Sequence, residues 1–105
     1  MIPVAADAEQ ALAMIRSHPD GTVVDVRDEE EYITGHLADA VLLPVDEISA
    51  ETAAEALPDQ SSPVLVYCKT GKRSRAAAEK LAALGYSELY DLGGLGGCAA
   101  FKCCQ

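Results

Sequence analysis

Apolar positions along the chain fall into four short runs, separated by polar turns and by segments with helical spacing. The runs are rich in valine, leucine and tyrosine, which fit the pleated surface of a sheet. We therefore predict strands over residues 22–26, 40–45, 63–68 and 88–92. The third run, PVLVYC, is the most apolar and leads directly into a basic loop.

Helical patterns fill the intervals between these runs. Asp7 resembles a helix N-cap with Gln10 as its partner three residues later, and Pro19 follows the end of that first helix. Further helices are predicted over residues 28–35, 49–57 and 74–85. Strands alternating with helices predict an α/β fold around a mainly parallel sheet that is covered on both faces. Such sheets bind ligands beyond the carboxyl ends of their strands, which is where Cys68 lies.

Length and composition limit the class of protein. The chain has 105 residues, 50% of them apolar and 24% charged, so we predict one globular domain over residues 1–105. No apolar run is long enough to span a membrane, and the first residues lack the features of a signal peptide. We therefore expect a cytoplasmic protein with reduced cysteines. The net charge of −9 disfavours nucleic acid or an anionic membrane as a partner.

Basic residues are concentrated in one window. Four of the eight basic side chains lie between residues 68 and 75, with no acid among them. They are Lys69, Lys72, Arg73 and Arg75. One interpretation is a site for a small anionic ligand, and the other is a solvated basic turn. Charge by itself leaves both interpretations open.

Cys68 stands between the third strand and the clearest helix. The thiolate is the reactive form of cysteine, so a reactive site must stabilise negative charge on the sulfur. Backbone N–H groups at a helix N-terminus provide such stabilisation, and Gly71 allows the backbone to close tightly around the sulfur. The alternative is an inert core cysteine. The basic, glycine-containing loop at a strand-to-helix junction favours the reactive interpretation.

Three stretches of the chain resemble segments of the rhodanese family. VLVYCKTGKRSRAAAEKLAALGY resembles its active-site segment, VVDVRDEEEYITGHLADAVLLPVDEI its first signature, and LYDLGGL the segment before its end. The resemblance implies a rhodanese-like α/β fold with a central, mainly parallel, five-stranded sheet flanked by helices on both faces. It also implies a thiosulfate sulfurtransferase. A small anionic donor such as thiosulfate or a persulfide would transfer sulfur to Cys68, and cyanide, a thiol or a sulfur-accepting protein would remove it.

The resemblance makes Cys68 the catalytic residue and the residues after it the substrate-binding loop. The loop consists of Lys69, Thr70, Gly71, Lys72, Arg73 and Ser74. Cys68 and Arg73 form a C-x4-R spacing, whereas the phosphatases and arsenate reductases of this fold carry C-x5-R. The shorter loop suits a sulfur atom better than a phosphate. No cofactor and no metal are implied.

Residues of the first signature are given supporting roles. We expect a buried or half-buried ion pair among Asp25, Arg27 and Glu31, and this pair would fix the loop of the first signature. His36 is expected to be structural and bonded within its loop, because no partner is visible to orient it as a general base. Tyr67 is interpreted as a packing residue.

The C-terminal stretch CAAFKCCQ departs from the family, because Cys98 stands where the family usually carries a tryptophan. Cys98, Cys103 and Cys104 either pack as small hydrophobes, which is the favoured interpretation, or take part in redox or sulfur-relay chemistry. Their spacing argues against zinc, since there is no C-x2-C pair and no histidine nearby.

Two classes of function remain open at this point. The first is a sulfurtransferase that turns over thiosulfate. The second is a persulfide carrier or interaction module that delivers sulfur to a partner protein. A phosphatase or arsenate reductase of the same fold is a less favoured third. An intact Cys68 and basic loop fit both the sulfurtransferase and the persulfide carrier.

Overall fold

A computed structural model describes residues 2–37, 39–95 and 103–104 of the chain. The helices are α1 (Ala8–Ser17), α2 (Glu29–Thr34), α3 (Ala50–Ala56) and α4 (Lys72–Ala83). The strands are β1 (Thr22–Asp25), β2 (His36–Leu37), β3 (Val41–Leu42), β4 (Val64–Cys68), β5 (Leu89–Gly94) and β6 (Cys103–Cys104). None of the described helices has the length and apolar character that crossing a membrane requires.

The main sheet is parallel throughout and has the strand order β3-β1-β4-β5. Every residue of β4 is buried, because this central strand is covered on both faces. Four strands form this sheet in the described residues, where the family resemblance implied five. A fifth segment lies beside β5 but is reduced to an isolated parallel bridge between Val4 and Asp91. Proline at position 3 cannot donate a ladder hydrogen bond, which limits pairing there.

Helices cover the two faces of the sheet, as predicted. Buried residues of α3 and α4 pack with Val24, Val66 and Cys68 on one face. The opposite face packs Leu65 and Tyr67 against a cluster that includes Ala11 of α1. The sheet therefore lies between two apolar layers, and its carboxyl edge remains available for the loops that follow β1 and β4.

Local signals placed most element boundaries to within one residue. Asp7 caps α1 by accepting a hydrogen bond from the N–H of Gln10 at 2.9 Å, and Ser49 caps α3. Differences of two residues or more occur at three elements. Helix α4 covers Lys72–Ala83 rather than residues 74–85, β5 continues to Gly94, and β3 ends at Leu42. Pro44 ends the extended run, and Val45–Glu47 form a 3-10 turn.

A small antiparallel pair was not predicted. β2 follows α2 directly, and its residues His36 and Leu37 pair with Cys104 and Cys103 of β6. This pairing places residues 103–104 beside the strand that follows α2. A two-residue strand leaves no periodic trace in a sequence, so pattern analysis could not have found it.

Candidate active site

Cys68 is the last residue of β4 and lies at the carboxyl edge of the sheet, with no exposed surface. Its Sγ accepts a hydrogen bond from the N–H of Gly71 at 2.9 Å and another from the N–H of Ser74 at 3.3 Å. The loop therefore curls around the sulfur, and two backbone donors point at it. Such donors at a helix N-terminus favour negative charge at the atom they face.

Two local features shape this loop. Gly71 is the N-cap of α4 and has a φ of 98°, in the left-handed region that glycine enters without strain. The hydroxyl of Ser74 donates to the carbonyl of Gly71 at 3.1 Å, which closes the first turn of the helix. Ser74 is fully buried, so this hydroxyl holds the loop rather than facing solvent.

The charge of Arg73 is engaged in an ion pair that the sequence did not indicate. Its guanidinium donates to both carboxylate oxygens of Glu31, at 2.7 and 3.1 Å. The expected Asp25, Arg27 and Glu31 grouping is thus wrong in its third member, because Glu31 lies within reach of Arg73 across the loop. Lys69 and Lys72 are exposed and make no ion pair with any described residue.

The ion pair expected between Asp25 and Arg27 is present. Asp25 is fully buried, and its carboxylate accepts from Nε and Nη2 of Arg27, at distances down to 2.7 Å. Nη2 also donates to the carbonyl of Gly35 at 2.7 Å, which ties the end of β1 to the end of α2. The hydrogen bond to Asp25 raises the pKa of Arg27 well above its ordinary value. The buried carboxylate of Asp25 thus has both an opposite charge and hydrogen-bond donors in Arg27.

Tyr67 has a polar role besides packing. Its hydroxyl donates to Asp25 at 2.8 Å and accepts from the N–H of Leu37 at 3.0 Å. Burial raises the pKa of Tyr67, so the phenol stays protonated and remains a donor. The residue next to Cys68 therefore links β4 to β1 and β2.

His36 lies in β2, and its ring contacts Tyr32 of the preceding helix. Its Nδ1 lies 2.8 Å from the carbonyl oxygen of Tyr32, and the two rings stack with centroids 3.7 Å apart. The hydroxyl of Tyr32 donates to the carbonyl of Ala40 at 2.7 Å. These contacts are of the kind expected for a structural histidine bonded within its own loop.

The other three cysteines lie within the last eight residues of the sequence. Cys98 lies outside the described residues, and Cys103 and Cys104 are described only through the backbone pairing of β6 with β2. The choice between packing and relay chemistry for these three residues therefore stays a prediction. Within the part of the chain that the structure describes, no group of three His, Cys, Asp or Glu side chains could hold a metal ion.

Comparison with protein families gives a match to the model of the rhodanese-like domain over residues 7–101. The chain belongs to the rhodanese family. The match includes all three stretches that carry the sequence resemblance, among them the loop after β1 and the Cys68 loop.

Curated relatives and solved structures agree with this membership. Thiosulfate sulfurtransferase PspE of Escherichia coli (strain K12) is 38% identical over 88 residues, covering 81% of this chain and 84% of that protein. Thiosulfate sulfurtransferase GlpE of Coxiella burnetii is 36% identical over 83 residues, covering 79% and 73%. The structure of a rhodanese with anions from E. coli matches with a TM-score of 0.68 at 37% identity, covering 75% of this chain and 92% of that chain. The predicted rhodanese-like α/β fold is confirmed.

In this rhodanese domain, the Glu31–Arg73 pair should make the active-site loop sensitive to acid. The bond to Arg73 lowers the pKa of Glu31 from 4.5 to about 2, so the folded state favours the carboxylate. The resulting stabilisation is complete above the ordinary pKa and is lost as pH falls from 4.5 towards 2. Because both side chains are partly exposed, we expect Glu31→Gln to lower the free energy of unfolding by about 1 kcal/mol at pH 6 and by less at pH 3.

Urea unfolding of the wild type and the variant at both pH values measures this difference. Glu30→Gln is the matched control, since Glu30 is the exposed neighbour on α2 and makes no ion pair with any described residue. A stability difference between Glu31→Gln and wild type that stays the same from pH 6 to pH 3 would contradict the role given to the pair.

Proposed function

We propose that the protein is a thiosulfate sulfurtransferase in which Cys68 carries the sulfur as a persulfide. The observation that supports this most directly is the Cys68 Sγ at the centre of a short C-x4-R loop, facing the N–H groups of Gly71 and Ser74. Relatives that are 38% and 36% identical to this chain over the aligned residues are named thiosulfate sulfurtransferases. One solved rhodanese of similar fold was obtained with anions.

The reaction divides into two nucleophilic steps. In the first, the Cys68 thiolate attacks the sulfane sulfur of thiosulfate, the S–S bond of thiosulfate breaks, and sulfite leaves with the bonding electron pair. In the second, cyanide or a thiolate attacks the outer sulfur of the persulfide, and the Cys68 thiolate is released. Both steps place negative charge on sulfur inside the loop, where fixed N–H donors are most effective.

Basic residues at the start of α4 fit this proposal. The first turn contains Lys72 and Arg73 and no acid, although the positive end of a helix dipole disfavours cations. A placement that works against helix stability is reasonable where the turn receives an anion. Arg73 is engaged with Glu31, so Lys72 and Lys69 are left to attract the donor.

Lys72→Ala is therefore expected to raise the KM for thiosulfate several-fold at low salt, with a smaller change in kcat. The difference from wild type should shrink as salt screens the charge of the exposed lysine. Steady-state kinetics at two ionic strengths measure both effects. Arg16→Ala is the matched control, because Arg16 is an exposed cation near the end of α1. Equal KM values for Lys72→Ala and wild type at low salt would remove Lys72 from donor binding.

A thiosulfate:cyanide turnover assay tests the proposed function directly, with thiocyanate as the measured product. We expect turnover that requires both substrates. A protein that gains one sulfur from thiosulfate but shows no turnover would favour the persulfide carrier instead. A protein that neither turns over nor gains sulfur would overturn the proposal.

A further inference from the structure

The end of β5 forms the surface on which the active-site loop rests. β4 and β5 pair in parallel with a register shift after Val66, so that Cys68 pairs with Gly94. The shift is stabilised by the buried carboxylate of Asp91, which accepts from the N–H of Gly93 at 2.8 Å. Gly93 has a φ of 80°, in the left-handed region that favours glycine.

Gly94 contacts the loop through its backbone. A Cβ built at this position would lie 2.5 Å from the carbonyl carbon of Thr70 and 2.6 Å from the carbonyl oxygen of Lys69. Both are main-chain atoms, so no rotation of a side chain could relieve the contact. Real Cβ atoms essentially never approach other heavy atoms closer than 3.0 Å, and the loop would therefore have to move away from β5.

The loop residues in that contact directly precede Gly71, one of the two donors to Cys68. Gly71 follows Thr70, and its N–H donates to Sγ at 2.9 Å. On the other side, the N–H of Leu95 donates to the carbonyl of Cys68 at 2.8 Å. A loop pushed off Gly94 would shift the Gly71 donor while β4 keeps the sulfur in place. Rates of this kind of chemistry fall steeply with displacements of about 1 Å.

We propose that Gly94 is a positioning residue for sulfur transfer, because its missing side chain lets residues 69–70 lie directly on β5. This contact aims the Gly71 donor at Cys68. The inference rests on the proposed function, in that the atom being positioned is the sulfur carrier. It assigns the glycine a role in catalysis besides its role in the sheet.

Gly94→Ala tests the inference. We expect kcat/KM for thiosulfate to fall about tenfold or more. We also expect the rate of Cys68 alkylation by iodoacetamide at pH 6, relative to its plateau at high pH, to fall, because the thiolate loses a donor. A role in stability alone would not change that ratio in the folded protein.

Gly21→Ala is the matched control. The Cβ added there would lie 2.8 Å from a side-chain carbon of Leu65, before the start of β1 and so at the opposite edge of the sheet from Cys68. It should lower stability while leaving the turnover and the alkylation ratio of the folded protein unchanged. Wild-type kinetics and a wild-type alkylation ratio in folded Gly94→Ala would overturn the inference.

A second pair of variants decides the question if Gly94→Ala does not fold. Asp91→Ala removes the acceptor of the Gly93 N–H, and Asp91→Asn retains an acceptor oxygen there. The first should lower turnover and the alkylation ratio, and the second should restore them; equal values in both variants would overturn the inference. Alkylation requires no sulfur transfer, so a wild-type protein that takes up no sulfur would refute the proposed function and leave this test valid.

Discussion

Cys68→Ser is expected to abolish sulfur uptake and to leave the fold intact. A serine hydroxyl is smaller than the thiol but has the same connectivity, and it can accept hydrogen bonds from Gly71 and Ser74. It does not ionise near neutral pH and cannot form a persulfide, so both chemical steps are lost. Intact-protein mass after thiosulfate treatment should show one added sulfur atom in the wild type and none in the variant. Thermal unfolding reports whether the fold is retained.

The matched control for this experiment replaces the other three cysteines and keeps Cys68. Cys98, Cys103 and Cys104 all lie in the last eight residues, so their combined replacement by serine leaves the loop sequence unchanged. That protein should still gain one sulfur. If Cys68→Ser gained the sulfur instead, another cysteine would be the acceptor and the assignment of Cys68 would be wrong.

Insertion of one glycine after Gly71 is expected to lower sulfur transfer about a hundredfold, because misplaced donors lose most of their effect. The insertion lengthens the loop to the C-x5-R spacing. It moves the N–H of Ser74 relative to Cys68 and pulls Arg73 away from Glu31, so two contacts that set the loop change together. Thiocyanate production measures the loss. A glycine inserted after the exposed Ser61 is the control, and it should leave turnover near the wild-type rate.

The same loop geometry predicts what the unmodified protein does not do. The six-residue loop already directs two N–H groups at the sulfur of Cys68. We expect this short loop to accept one added sulfur atom but not a phosphoryl group. Hydrolysis of p-nitrophenyl phosphate should not exceed background. Efficient hydrolysis by the wild type that disappears in Cys68→Ser would replace the sulfurtransferase proposal with a phosphatase.

Much of the fold could be predicted because the signals are local. Asp7 and Ser49 cap helices through hydrogen bonds to residues three positions away. Contacts between residues so close in sequence can be predicted from the order of the residues. β4 is apolar throughout because a central parallel strand is buried on both faces. The position of Cys68 at the carboxyl edge follows from the same alternation of strands and helices.

The tertiary structure alone decided which charged and polar groups meet. Glu31 bonds to Arg73 and Tyr67 bonds to Asp25, each across 42 positions of sequence. With 17 acids and eight basic residues in the chain, composition allows many pairings, and only the packed strands bring particular ones within 3 Å. The sequence therefore placed Arg73 in the substrate loop, while the structure shows its charge already engaged by Glu31.

Backbone contacts between distant residues also could not be predicted from the sequence, and Gly94 is an example. In the sequence it is one of two adjacent glycines near the end of a strand, and nothing there distinguishes it from the other. Its contact with Lys69 and Thr70 exists because β4 and β5 are neighbours with a shifted register. The sequence by itself determined the four strands of the main sheet, the helix caps and the candidate nucleophile, since each depends on residues a few positions apart. Which distant atoms hold the loop around that nucleophile depends on how the strands pack, and only the folded chain decides it.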